Sequence, residues 1–307
     1  MAFSLSIDCT NTYQGHKSSV YALASDVENN VFYSAGGDGW IVQWSLDVNT
    51  PDGLLIADSQ SKIFSMVYDT NHKLVIAGDI DGYIYWIDAQ QKKILAKSSL
   101  HKGSVFDICI LNNNTLMTAS ADGYICVWDI NNRRPIVSYR LSVQGLRCIC
   151  HNSTKNEILV GASDKNIYVL DGQNFEQKKV IKSAHVNSIF CIEKVSDDFY
   201  LSGGRDAVLA MWDVSNFEKK DTIAAHMFTI NKIKHLPEIS AVVTVSRDKT
   251  IRIWDDSSFE IIKSIDIHKG GHVHSVNSAL WIPSENCLLT AGDDRVIKRW
   301  YIQQQHT

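Results

Sequence analysis

A hydroxyl, an imidazole and a carboxylate recur together five times along the chain. The sets are Ser34/His16/Asp38, Thr118/His101/Asp122, Ser202/His185/Asp206, Thr244/His226/Asp248 and Thr290/His272/Asp294. These are the residue types of a nucleophile, a general base and an orienting acid, which together would suit acyl transfer. Each set also carries a tryptophan: Trp44, Trp128, Trp212, Trp254 and Trp300. A catalytic site is not expected five times in one register, whereas a structural fastener is. No catalytic residue is therefore assigned. Cys148-x-Cys150-His151 has zinc-ligand types, but no second ligand pair stands at zinc spacing. Gly36-Gly37-Asp38-Gly39 lacks the Lys and Ser/Thr of a phosphate loop and reads as a hairpin turn.

The register of these sets must come from the elements that hold them. Seven segments align on an aspartate six residues before a Trp position: GGDGWIVQWS (36–45), DIDGYIYWID (79–88), SADGYICVWD (120–129), ASDKNIYVLD (162–171), GRDAVLAMWD (204–213), SRDKTIRIWD (246–255) and GDDRVIKRWY (292–301). The aspartates are Asp38, Asp81, Asp122, Asp164, Asp206, Asp248 and Asp294, spaced by 43, 41, 42, 42, 42 and 46 residues. A period of roughly 40–45 residues ending in Trp-Asp is the signature of four-stranded propeller blades. Short apolar runs rich in β-branched and aromatic residues flank each aspartate, and x-Asp-Gly dipeptides between them are tight hairpin turns. No helical period of useful length occurs, so the chain reads as all-β.

With its Trp-Asp endings and a histidine 21–22 residues before the aspartate, the sequence resembles the WD-repeat (WD40) β-propeller family over essentially all of residues 1–307. The resemblance implies one domain, a seven-bladed β-propeller with four antiparallel strands per blade. It also implies that the last blade is closed by the N-terminal strand. The arithmetic agrees, because residues 301–307 are too few for a turn and a fourth strand, while strand-like stretches lie at Phe3 to Ile7 and Thr10 to Gln14. In such proteins the four recurring side chains form a buried network from indole to hydroxyl to imidazole to carboxylate. Blades two and four depart from that pattern together. They carry Ser59, Ala77 and Ile87, and Ser142, Val160 and Leu170, at the His, Ser/Thr and Trp positions, yet keep Asp81 and Asp164. Trp86 sits one residue before its expected place, so alternation turns it to the opposite face of its strand, toward a blade interface.

The chain has 307 residues, 45% hydrophobic and 21% charged, with a formal net charge of −4. That balance disfavours a coat for nucleic acid or for an acidic membrane. The seven cysteines are scattered, Met1 to Ile7 has no basic leader, and no run approaches the ~18 apolar residues of a membrane span. The expectation is a cytoplasmic protein with reduced thiols and no cofactor, metal or membrane partner. Basic pairs at Lys92-Lys93, Arg133-Arg134, Lys178-Lys179 and Lys219-Lys220 fall at the turn to each outermost strand, where charge protects an edge. The triplets at Asn174-Phe175-Glu176, Asn216-Phe217-Glu218 and Ser258-Phe259-Glu260 read as repeat packing.

The family resemblance also supplies a map of the top face around the central channel. Carried over, it gives Tyr21, Lys62, Phe64, Phe106, Arg147, Phe190, Arg205, Asn231, Arg247, Asn277 and Asp293 as partner-binding positions. Aromatic residues and arginine are enriched at interface hot spots. The expected ligand is a protein or peptide with an apolar anchor and an acidic group held by Arg147, Arg205 and Arg247. The alternative is that the aromatics pack on one another and the arginines pair with nearby aspartates. The leading function is a non-catalytic interaction scaffold, monomeric alone. Its rivals are an architectural subunit of a larger complex and a metal-dependent hydrolase or lactonase. The second rival could use only Asn231, Asn277 and Asp293 for Ca²⁺, a low oxygen count.

Overall fold

The chain folds into seven antiparallel four-stranded sheets, which form the ring. The computed structural model describes residues 3–47, 49 and 52–306, so Met1, Ala2, Val48, Thr50, Pro51 and Thr307 of the expected domain lie outside the described residues. The innermost strands are Val20–Asp26, Ile63–Asp69, Val105–Asn112, Leu146–Asn152, Ile189–Lys194, Ile230–Leu236 and Val276–Ile282. Middle strands such as Leu74–Asp79 are buried throughout because a neighbouring blade covers each face. The outermost strand Lys93–Ser99 instead alternates exposed with half-buried residues, because solvent covers its outer face.

Among the described residues the core is seven clusters, one at each junction between blades. Trp128 of blade three packs toward blade two, where Trp86 meets it with ring centroids 6.2 Å apart. Trp86 thus faces blade three while Ile87 faces blade one. The basic pairs lie at the start of, or within, outermost strands, where Lys178 and Lys220 reach Asp171 and Asp213 at 2.9 and 2.8 Å. Phe217 stacks on Tyr200, and Phe259 meets the edge of Phe199.

Blade seven contains strands Val276–Ile282, Cys287–Gly292 and Val296–His306, and its fourth strand is the first of the chain, Phe3–Gln14. The two stretches expected there are one strand. It pairs with the last from Phe3 opposite His306 to Gln14 opposite Val296, with one irregularity between Cys9 and Asn11. No helix among the described residues is long and apolar enough to cross a membrane.

Candidate functional site

Five blades join their indole, hydroxyl, imidazole and carboxylate by hydrogen bonds. In blade five Trp212 Nε1 donates to Ser202 Oγ at 2.7 Å, His185 Nε2 lies 2.7 Å from the same oxygen, and His185 Nδ1 lies 3.0 Å from Asp206. Blade one repeats this through Trp44, Ser34, His16 and Asp38, and blade six through Trp254, Thr244, His226 and Asp248. Blade seven does so through Trp300, Thr290, His272 and Asp294. Blade three is slightly looser, with Trp128 and His101 on Thr118 at 3.0 and 2.7 Å, and His101 Nδ1 3.4 Å from Asp122. An indole N–H can only donate, so each hydroxyl oxygen accepts from it. A tautomer with Nδ1–H facing the carboxylate leaves Nε2 to accept the hydroxyl proton. That order matches a catalytic triad, but all five hydroxyls are 0% exposed and one lone pair is taken by the indole. They have no room for a substrate.

The carboxylates also pin backbone. Asp206, Asp248 and Asp294 accept the N–H of Val186, Met227 and Val273, the residues that follow the network histidines. Burial by itself pushes the Asp122 carboxyl up. The hydrogen bond from His101 and two backbone N–H groups outweigh it and hold the group at about 2. The same opposition leaves Asp38, Asp206, Asp248 and Asp294 below the usual carboxylate range. Because each histidine sits in the loop from an outermost to an innermost strand, and each aspartate in the second hairpin, the network ties both loop sets into one face.

At the channel mouth on that face, every innermost strand slips register by one residue near its start. The skipped residues are Tyr21, Phe64, Phe106, Arg147, Phe190, Asn231 and Asn277. A bulge re-aims a side chain that would otherwise alternate into a blade interface. The central channel, about 610 Å³, is lined by all seven. Tyr21 and Phe64 lie 5.1 Å apart, Phe64 and Phe106 5.7 Å, by ring centroid. The Arg147 guanidinium stands 4.1 Å from the Phe106 ring centre and 5.1 Å from that of Phe190. It also donates to Ser163 Oγ at 2.9 Å. Burial, and then the charge of Arg205, pull its pKa down.

The remaining mapped residues divide. Lys62, Arg205 and Arg247 are exposed, and none makes a side-chain hydrogen bond or ion pair with a described residue. Asn277 donates to Asp293 at 2.7 Å, Ser275 Oγ donates to Asn277 at 2.9 Å, and Asn231 donates to Val276 O at 2.7 Å. Their polar atoms are used among themselves, and among the described residues no group of three His, Cys, Asp or Glu side chains could hold a metal. Cys148 and Cys150 are buried in the junction between blades four and five, and burial raises both thiols, which disfavours thiolate ligands. Deeper in the channel the wall carries Asp107, Glu193, Lys232 and Lys234, with Glu193 paired to Lys234 at 3.1 Å. The sequence reading did not single these out, although Asp107 and Lys232 share one repeat position and Glu193 and Lys234 another, where the other blades carry small or apolar residues.

The family model described as "WD domain, G-beta repeat" matches residues 7–45, 92–129, 217–255 and 260–301, half of the chain. The chain belongs to the WD40 repeat family. It is 23% identical to "Protein tipD" of Dictyostelium discoideum over 94% of this chain and 48% of that protein. It is 27% identical to "Denticleless protein homolog" of Homo sapiens over 78% of this chain and 34% of that protein. The chain therefore spans about a third to a half of these relatives. The crystal structure of the WD40 β-propeller domain of Doa1 superposes with a TM-score of 0.85 at 19% identity, covering 96% of both chains, and shows the same fold.

WD40 blades two and four lack the tryptophan network, and each builds another around a tyrosine four residues after the hairpin aspartate. In blade four Tyr168 Oη and Ser142 Oγ both donate to Asp164 at 2.6 Å. In blade two the aspartate expected in that role, Asp81, is exposed and accepts from Ser61 Oγ. The buried carboxylate is Asp79, which accepts from Tyr85 Oη at 3.0 Å and from the N–H groups of Asp81 and Tyr83. The sequence held the signal, since no other blade has tyrosine at that offset. Replacing Tyr85 by Phe should cost about 1–3 kcal/mol, because Asp79 is fully buried and one oxygen loses its donor. Urea unfolding of Tyr85→Phe checks this, and an unchanged midpoint would show that Asp79 finds another partner.

Proposed function

We propose that this WD40 chain is a non-catalytic interaction module that holds a protein or peptide partner on its top face, around the channel mouth. The observation that carries the reading is the arc of bulged side chains Tyr21, Phe64, Phe106, Arg147 and Phe190, followed by the unpaired cations Arg205 and Arg247. Tyr21, Phe64 and Phe106 pack on one another at tilted angles and Arg147 bridges Phe106 to Phe190, which gives a partner a preformed apolar platform rather than loose side chains. The arginines do not pair with aspartate, so they remain available to a carboxylate. Membership of a family of repeat scaffolds supports the same reading. The expected cytoplasmic location, with all seven cysteines free, belongs to this proposal.

Affinity capture with the parent protein beside a Phe106→Ala/Phe190→Ala/Arg205→Ala variant tests it. Partners retained by the parent should be lost from the variant, while its urea midpoint stays close to that of the parent. Full retention of every partner by a folded variant would move the binding surface elsewhere on the ring.

A further inference from the structure

The residue after each network histidine position differs systematically around the ring. Blades one to three carry Lys17, Gln60 and Lys102, whereas blades four to seven carry Val143, Val186, Met227 and Val273. Val143, Val186 and Met227 are 80%, 76% and 79% exposed, and Phe228 beside Met227 is 59% exposed. Single exposed apolar residues need no explanation, but here four consecutive blades bear one at the same loop position, with Val273 43% exposed in the last. The residue after the hairpin aspartate changes over the same sector. Blades one to three have Gly39, Gly82 and Gly123, while blades four, six and seven have Lys165, Lys249 and Arg295, all exposed.

Those three cations sit at φ of 74°, 73° and 67°, where side chains are disfavoured and the first three blades use glycine. None has a side-chain ion pair with a described residue. The network carboxylates of these hairpins are committed internally, and the exposed Asp293 beside Asp294 accepts from Asn277 at 2.7 Å, so this sector has apolar tips and cations without a carboxylate partner. The networks also fix its shape: the backbone N–H of Val186, Met227 and Val273 is held by a buried-facing aspartate, so the attached side chains project from pinned loops.

We propose that the outer top rim of blades four to seven is a second docking surface, for a partner-protein segment that combines apolar side chains with carboxylates. The inference rests on the reading of the top face as the binding face, but uses residues outside the channel mouth. Apolar tips alone would accept any hydrophobic segment. The unpaired Lys165, Lys249 and Arg295 select an acidic one by charge complementarity and fix its register. Pinned loops reduce the ordering cost of binding.

The test is selection of a random peptide library displayed on phage against the parent protein. Selected synthetic peptides are then titrated against three variants: Met227→Ser/Phe228→Ser, Lys249→Glu/Arg295→Glu, and Phe106→Ala/Arg147→Ala at the channel mouth. Selected peptides should combine Asp or Glu with apolar residues and bind both rim variants at least about tenfold more weakly. Added salt should weaken binding to the parent more than to Lys249→Glu/Arg295→Glu. Peptides weakened only by the channel variant would overturn the rim site and leave the proposed function standing. Peptides indifferent to all three variants would sink both. No enrichment, enrichment without acidic residues, or rim-dependent binding of phosphatidylserine vesicles or single-stranded oligonucleotide instead of peptide would also overturn the assignment.

Discussion

Deleting residues 1–14 should remove most of the stability of the ring and leave an aggregation-prone protein. Strand Phe3–Gln14 is the outermost strand of blade seven, yet it covers ground in two junctions. Leu5 is buried with Trp300 and Ile302 against blade six, and Tyr13 with Ile297 against Phe32 and Trp44 of blade one. The Tyr13 ring meets those of Phe32 and Trp44 edge-on, with centroids 5.0 and 5.5 Å away. Truncating a buried leucine typically costs about 2–5 kcal/mol and a buried aromatic about 3–5 kcal/mol. Even discounted for partial collapse, the two together rival the ~5–15 kcal/mol total of an ordinary domain. The deletion also strips the pairing partner from strand Val296–His306, which becomes a long exposed edge. Urea unfolding and light scattering of the truncated protein measure both effects. Tyr13→Ala, which keeps the strand, should lower stability by about 3–5 kcal/mol without creating the edge. A synthetic peptide of residues 1–14 should restore stability to the truncated protein in proportion to its concentration. A truncated protein that stays monomeric and unfolds at the parent's urea midpoint would mean the ring does not depend on this strand.

That closure was legible in the chain because counting is insensitive to local detail. Seven aspartates at a near-constant spacing, with a strand-like stretch ahead of the first repeat, leave few topologies. What the count could not reach was direction. Tyr21, Phe64 and Phe106 stand one residue after buried Val20, Ile63 and Val105, and simple alternation leaves their orientation open until the bulge is seen. Their mutual contact depends on the radius of the channel, which no single repeat encodes. The Tyr85–Asp79 pair escaped for a different reason. The expected network is centred on tryptophan, so its absence drew attention to what was lost rather than to the hydroxyl gained two residues upstream of the Trp position. The apolar rim of blades four to seven was visible as letters at a fixed offset. Its meaning came only from exposure, since Val and Met after a buried histidine read equally well as core.

Thr244→Val should be more damaging than the simultaneous replacement of the whole blade-six network by that of blade four. Thr244 is fully buried, accepts from Trp254 Nε1 at 2.9 Å, and lies 2.7 Å from His226 Nε2. Valine keeps the shape but strands an indole N–H and an imidazole nitrogen, each costing about 1–3 kcal/mol when buried and unpaired. The expected loss is therefore about 2–5 kcal/mol, large for a change of one hydroxyl to one methyl. Blade four shows the alternative solution in the same molecule, with Ser142, Val160, Tyr168 and Leu170 around Asp164. The 22 residues from Ser142 to Asp164 equal those from His226 to Asp248 in blade six. The corresponding variant, His226→Ser/Thr244→Val/Arg252→Tyr/Trp254→Leu, removes the stranded partners and gives Asp248 two new hydroxyl donors. It gives up the Arg252 bond to Ala225 O and some aromatic volume, so it should still fall below the parent. The decisive comparison is between the two variants by urea unfolding. A quadruple variant more stable than Thr244→Val alone would show that the network residues act as a unit whose parts are costly to remove singly. If the losses simply add, the hydroxyl is one contact among many, and the coordinated departures of blades two and four would need a cause other than hydrogen-bond satisfaction.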